Sequence, residues 1–204
     1  ISFEIYSRLF LKNKIVSPLK SNENNILSEA SSILGSFNIF SNNLRDFTQA
    51  SIWFPSIGNN RLTTTFSVKE YYLSIPKLNI NEAKVIVGAE DLSTSLVHYL
   101  PESLPGEYGN VVILGHSTLP QLYNVKDYKT IFTFLPSLEK GDIIKIKIND
   151  IEYQYVVYDM FIVNPEETSV LKQQKDGSYL TLITCVPPGT YLRRLVVKAK
   201  LKLI

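Results

Sequence analysis

From Tyr71 to its end the chain is a succession of short β-prone runs separated by turn residues: YYLSIPKLNI, AKVIVGA, NVVILGH, DIIKIKIN, EYQYVVYDMFIV, YLTLITC and RLVVKAKL. Each is rich in Val, Ile, Tyr or Thr, whose branched or flat side chains fit a pleated surface, and most alternate as a half-buried strand does. Seven or eight strands in roughly 130 residues indicate a barrel or a sandwich. The stretches Leu92 to Leu100 and Gln121 to Leu135 read as helical or irregular crossovers, and Glu139-Lys140-Gly141-Asp142 reads as a turn.

The first seventy residues have a different texture. Ser21 to Asn43 is dominated by Ser and Asn, with Ile26, Leu27, Ala30, Ile33 and Leu34 at helical spacing and Gly35 where a helix would stop. A second helix is expected from Ser41 or Asn42 through Leu44 and Phe47 toward Trp53. Pro55 ends it, because the residue before a proline is driven out of helical geometry. Residues 1–70 therefore read as a helical N-terminal appendage and residues 71–204 as the main β domain. A mass of 23.2 kDa with 45% hydrophobic residues suffices for one substantial core.

Charge excludes some partners. With 21 basic and 19 acidic residues the net charge is +2, so the chain advertises no nucleic-acid stripe and no membrane-coating face. No stretch approaches the roughly 18 to 20 apolar residues of a membrane span.

Cys185 is the only cysteine and cannot form an internal disulfide. A thiol attacks as thiolate, so a working cysteine wants a base or a cation beside it; a buried small hydrophobe is the other reading. Of the two histidines, His98 stands among apolar neighbours and reads as a packed or surface residue. His116 follows NVVILG, where a strand opens into a loop, as a functional group or a cap. Arg193 and Arg194 open the last strand, and alternation lets only one of them face the Cys185 side.

Taken jointly, ILGHS, TLITC and RRLVVKA resemble the sortases, bacterial surface cysteine transpeptidases. The resemblance covers about Tyr71 to Leu203. It implies a mainly β fold, a closed eight-stranded barrel with short helices. It also maps Cys185 to the nucleophile, His116 to the general acid or base and Arg194, five residues before Ala199, to the oxyanion arginine, with Arg193 facing away. Thr184, Ser117 and Pro187 are expected at the substrate; Thr184 reads equally as a β-branched strand former.

What the resemblance further implies is cleavage of an LPxTG-like sorting signal between Thr and Gly. The carried surface protein would pass through a thioacyl enzyme to a peptidoglycan-type or lysine amine. Neither cofactor nor metal is expected: Glu102 and Glu107 are too dispersed for calcium. An N-terminal membrane anchor is expected upstream of Ile1, holding the enzyme at the outer face of the cytoplasmic membrane. Two alternatives stand beside this: a catalytically silent binding barrel, and a pilin-polymerising member with a lysine acceptor. The acidic-proline-aromatic lid motif of pilus builders is missing, Trp53-Phe54-Pro55 being the nearest stretch, so attachment of single proteins is favoured. The appendage is read as packing its apolar face on the barrel rather than as a lid over the groove.

Overall fold

The structure, a computed structural model, describes residues 46–57 and 66–202. Eight strands are present: β1 (Glu70–Ile75), β2 (Ile80–Val87), β3 (Leu96–His98), β4 (Gly109–Leu114), β5 (Ile143–Ile148), β6 (Ile151–Val163), β7 (Ser178–Val186) and β8 (Arg193–Leu201). They close a barrel in the order β1-β2-β3-β4-β7-β8-β6-β5. Closure leaves no free edge to pair with another chain. Pairing is antiparallel except for β2 with β3 and β4 with β7, which run parallel.

Alternation along the strands divides their side chains between two clusters. Leu180 and Leu182 of β7, with Leu195 and Val197 of β8 and Val111 and Ile113 of β4, fill the barrel interior. The intervening residues Ile183, Cys185, Val196, Val112 and Leu114 face outward, yet they are buried too. What covers them is Trp53 and Phe54 from the N-terminal segment and Val170 from the loop between β6 and β7.

Three expectations are corrected. The helix toward Trp53 is replaced, over the described residues, by short 3-10 turns at Asp46–Thr48, Ala50–Trp53 and Pro55–Ile57. Gln49 breaks the run with extended backbone (φ −92°, ψ 127°) and forms a β-bridge with Asp91. Backbone groups that a helix would satisfy internally are instead taken by the β2–β3 loop: Ala50 N donates to Glu90 O at 2.9 Å and Leu92 N to Thr48 O at 2.8 Å. The helix expected around Ile26 to Leu34 lies outside the described residues. Second, the crossover Leu92 to Leu100 contains the short strand β3, with His98 on it and fully buried. Third, YYLSIPKLNI is not one strand: β1 ends at Ile75 and β2 begins at Ile80, because Pro76 starts a 3-10 turn and Asn79 adopts a left-handed conformation (φ 56°) that reverses the chain.

Candidate active site

Strand register assembles the site. Along the outer face, Thr181 of β7 lies opposite Lys198 of β8, Ile183 opposite Val196, and Cys185 opposite Arg194. On the other side of β7, Val112 pairs with Thr181 and Leu114 with Ile183. Past the end of β4, Gly115 N still donates to Ile183 O at 3.1 Å, so His116 continues the ladder toward Cys185. The face thus carries a polar rung of His116, Cys185 and Arg194, an apolar rung of Leu114, Ile183 and Val196, and a further rung holding Thr181 and Lys198.

Two neighbours fix the His116 backbone. The Thr184 hydroxyl donates to Gly115 O at 2.8 Å, and the Ser117 hydroxyl donates to Cys185 O at 2.7 Å. Gly115 is required for the close approach: a Cβ there would lie 2.5 Å from the Phe132 ring and 2.6 Å from Leu96. Thr184 is fully buried on the side of β7 opposite Cys185, so its position is that of a strut under the histidine loop. Pro187 is half-buried and opens a turn, with Thr190 N donating to Pro187 O at 3.0 Å.

Arg194 is 1% exposed whereas Arg193 is exposed, as alternation requires. Its Nη1 donates to Tyr191 O at 3.0 Å and its Nη2 to Trp53 O at 3.0 Å. The guanidinium carbon lies 5.3 Å over the Trp53 ring, a cation–π arrangement. The same indole sits 5.6 Å from the His116 ring, and its Nε1 donates to Phe47 O at 3.0 Å. Phe47 in turn stacks on Tyr191 at 3.8 Å and 10°. The segment Asp46–Ile57 is therefore a strap over the Cys185 rung, tied to Glu90–Leu92 at one side and to Tyr191 at the other.

The strap dictates the electrostatics. Burial pushes the Cys185 thiol up to about 11, offset only in part by the Arg194 cation. Burial pushes His116 down to about 4, against the pull of the Asp91 and Asp127 carboxylates. With a thiol at about 11, only about one molecule in 10⁴ carries a thiolate at pH 7. His116 Nε2 and Arg194 Nε are buried without a hydrogen-bond partner. A substrate group could engage both.

The three residues expected from the sequence are thus brought together, and His98 is held apart inside the barrel wall. The sequence reading favours packing of the appendage on the barrel over a lid at the groove; the strap does pack on the barrel, and the residues that place it over the Cys185 rung are the chain's single tryptophan and Phe54, beyond the Ser- and Asn-rich stretch. Sequence reasoning missed Lys198 and Asn110, which carry no local motif.

Comparison with known proteins gives one answer. The sortase domain family model matches residues 73–202. Sortase D of Bacillus subtilis is 32% identical over 117 residues, 56% of this chain and 53% of that protein, so the chain spans about half the length of that relative. Among solved structures, a Clostridium perfringens sortase D5 transpeptidase aligns at TM-score 0.57 and 28% identity, covering 66% of this chain and 79% of that one. A lid mutant of sortase A from Corynebacterium diphtheriae aligns at 0.58 and 26%, covering 74% and 78%.

Proposed function

The chain belongs to the sortase family, and from that premise we propose that it is a cysteine transpeptidase acting on an LPxTG-like sorting signal, with Asp46–Ile57 as a lid that must leave before substrate enters. The observation that carries this is the bond from Arg194 Nη2 to Trp53 O. A backbone carbonyl already occupies the donor that the scissile carbonyl needs, beside Cys185 and His116. Trp53 O stands in for the carbonyl oxygen of the signal's threonine.

With the lid displaced, water and substrate reach the rung and the desolvation that holds the thiol at about 11 is relieved. Cys185 Sγ gives its proton to His116 and bonds to the threonine carbonyl carbon. The oxyanion that forms takes the N–H bonds of Arg194. The threonine–glycine C–N bond then breaks as His116 returns the proton to the departing amine, leaving a thioester. An amine acceptor, from a peptidoglycan-type peptide or a lysine side chain, attacks that thioester. His116 takes the amine's proton as the C–S bond breaks, and Cys185 is restored.

The apolar rung of Leu114, Ile183 and Val196 supports an apolar residue upstream of the threonine, which would take the place of Phe54 and Trp53. Sortases are cell-surface-associated enzymes. Among the described residues no helix is long and apolar enough to cross a membrane, and the reading places the domain at the outer face of the membrane through an anchor outside it.

The burial of Cys185 favours a second reading, a silent barrel that binds and does not cut. The protein is incubated with LPxTG-like peptides and either triglycine or a lysine-bearing peptide, beside Cys185→Ala, and products are read by mass. A joined product lost in the variant supports the transpeptidase. No product from any peptide, with the thiol also inert to alkylation, leaves the silent barrel.

A further inference from the structure

Lys198 is the unusual residue of the outer face. It is 8% exposed, and among the described residues no carboxylate pairs with it. A buried ammonium without a counter-charge is costly unless hydrogen bonds compensate. Its Nζ donates to Val170 O at 2.8 Å.

The same carbonyl is approached from β4. Asn110, 1% exposed, points Nδ2 at Val170 O (3.5 Å) and donates to Lys172 O at 3.1 Å, while its Oδ1 accepts from the Thr181 hydroxyl at 2.6 Å. Gln173 completes the arrangement: Asn110 N donates to its Oε1 at 2.7 Å and its Nε2 donates back to Asn110 O at 3.0 Å. This reciprocal pair copies the bonds of a neighbouring strand. Four side chains from three strands and the loop thus hold the β6–β7 connection, residues 164–177, down on the outer face.

What they hold is the loop that packs Val170 on the outer face. Val170 is 4% exposed and packs in the cluster that contains Cys185, Ile183, Phe54 and Trp53. The Lys198 rung stands two rungs, about 13 Å, from the Cys185 rung, the reach of about four extended residues. An extended signal along this face with its threonine at Cys185 would carry its apolar residue, three positions upstream, about 10 Å along, between the Ile183 rung and the Lys198 rung where Val170 packs.

Resting on the transpeptidase reading, we infer that Lys198, with Asn110 and Gln173, is a positioning residue for signal selection: it fixes the Val170 wall and so sets which apolar side chain fits upstream of the cleaved bond. Lys198 touches no reacting atom. Its loss loosens recognition and leaves Cys185 and Arg194 on β7 and β8 and His116 on the loop after β4. Methionine at 198 keeps the apolar stem and removes the donor; arginine keeps a donor.

The test compares full-length wild type with Lys198→Met, Lys198→Arg and Gln173→Ala. Gln173 lies on the loop, so its replacement leaves the strands intact if the first variant fails to fold. Hydrogen exchange of residues 164–177 is followed, together with kcat and KM on peptides whose upstream apolar residue is Leu, Ala or Phe. Leaving the Val170 carbonyl without its main donor is expected to speed loop exchange about tenfold, with β7 and β8 unchanged. KM for the preferred peptide rises about five- to tenfold with kcat within about twofold, and the preference among the three peptides narrows. Lys198→Arg keeps wild-type preference. Unchanged loop exchange overturns the clamp, and so does a fall in kcat with KM and preference preserved. If wild type turns over no peptide, the transpeptidase reading fails by itself and loop exchange alone decides whether the clamp exists.

Discussion

The Arg194 guanidinium is shared between two parts of one residue: Nη2 donates to the Trp53 carbonyl at 3.0 Å while its carbon lies 5.3 Å over the Trp53 indole. Burying a cation without a carboxylate is expensive unless hydrogen-bond acceptors and a ring face compensate, and Trp53 supplies one of each. On the proposed reading, the closed lid and the activated site therefore compete for one side chain.

Trp53→Ala removes the ring from Arg194 and His116 and deletes a fully buried indole. The expected result is a lid that opens locally: alkylation of Cys185 at pH 7.5 accelerates at least about tenfold while the barrel's cooperative unfolding is retained. Iodoacetamide kinetics beside a denaturant melt check both. Alkylation at the wild-type rate would mean that the indole does not guard the thiol.

In wild type the thiol ionises at about 11 because it is buried. Alkylation should therefore keep rising, about tenfold per pH unit, through pH 8 and beyond. A plateau near pH 8.5 would place the thiol in contact with water.

His98 and His116 are pushed down to about 3 and about 4, in both cases chiefly by burial. As pH falls below 6.5 the unfolded chain takes up protons that the folded chain does not, so the stability from both neutral rings is present above 6.5. It is lost progressively toward pH 4 for His116 and toward pH 3 for His98. A loss on the order of 2 kcal/mol per ring is expected between pH 7 and 4.5, read from urea midpoints. His98→Leu should flatten that slope.

Arg194→Ala and Arg193→Ala separate the two neighbours. Removing an oxyanion donor costs about 10²- to 10³-fold in kcat, whereas the exposed Arg193 costs little. Arg194→Ala also releases the lid, so its Cys185 alkylates faster while its turnover falls. Equal loss of turnover in both variants would remove the assignment.

Much of the barrel was legible because its strands are short, β-branched and punctuated by turn residues; alternation allowed only one of Arg193 and Arg194 to face Cys185, and the spacing to Ala199 in the family motif chose Arg194, which is the buried one. Three-residue β3 was not, since a strand that brief has no period to read, and its pairing to β2 and β4 makes it a strand. Nor was the lid's form. Leu44 and Phe47 have helical spacing, but tertiary hydrogen bonds with Glu90 and Leu92 override local propensity, as short segments without a helical nucleus allow. That Cys185, His116 and Arg194 lie side by side was readable through the motif that names them. Lys198 was not, because a lysine in a strand normally faces water and only the β6–β7 loop lying over it reveals otherwise.

The most direct test of the central claim is the intact mass of the protein after incubation with an LPxTG-like peptide and no added amine, in wild type, Trp53→Ala and Cys185→Ala. The account predicts an adduct equal to the peptide up to its threonine, on Cys185, more abundant in Trp53→Ala than in wild type and missing from Cys185→Ala. A Trp53→Ala protein whose thiol alkylates readily but forms no adduct with any such peptide would contradict it.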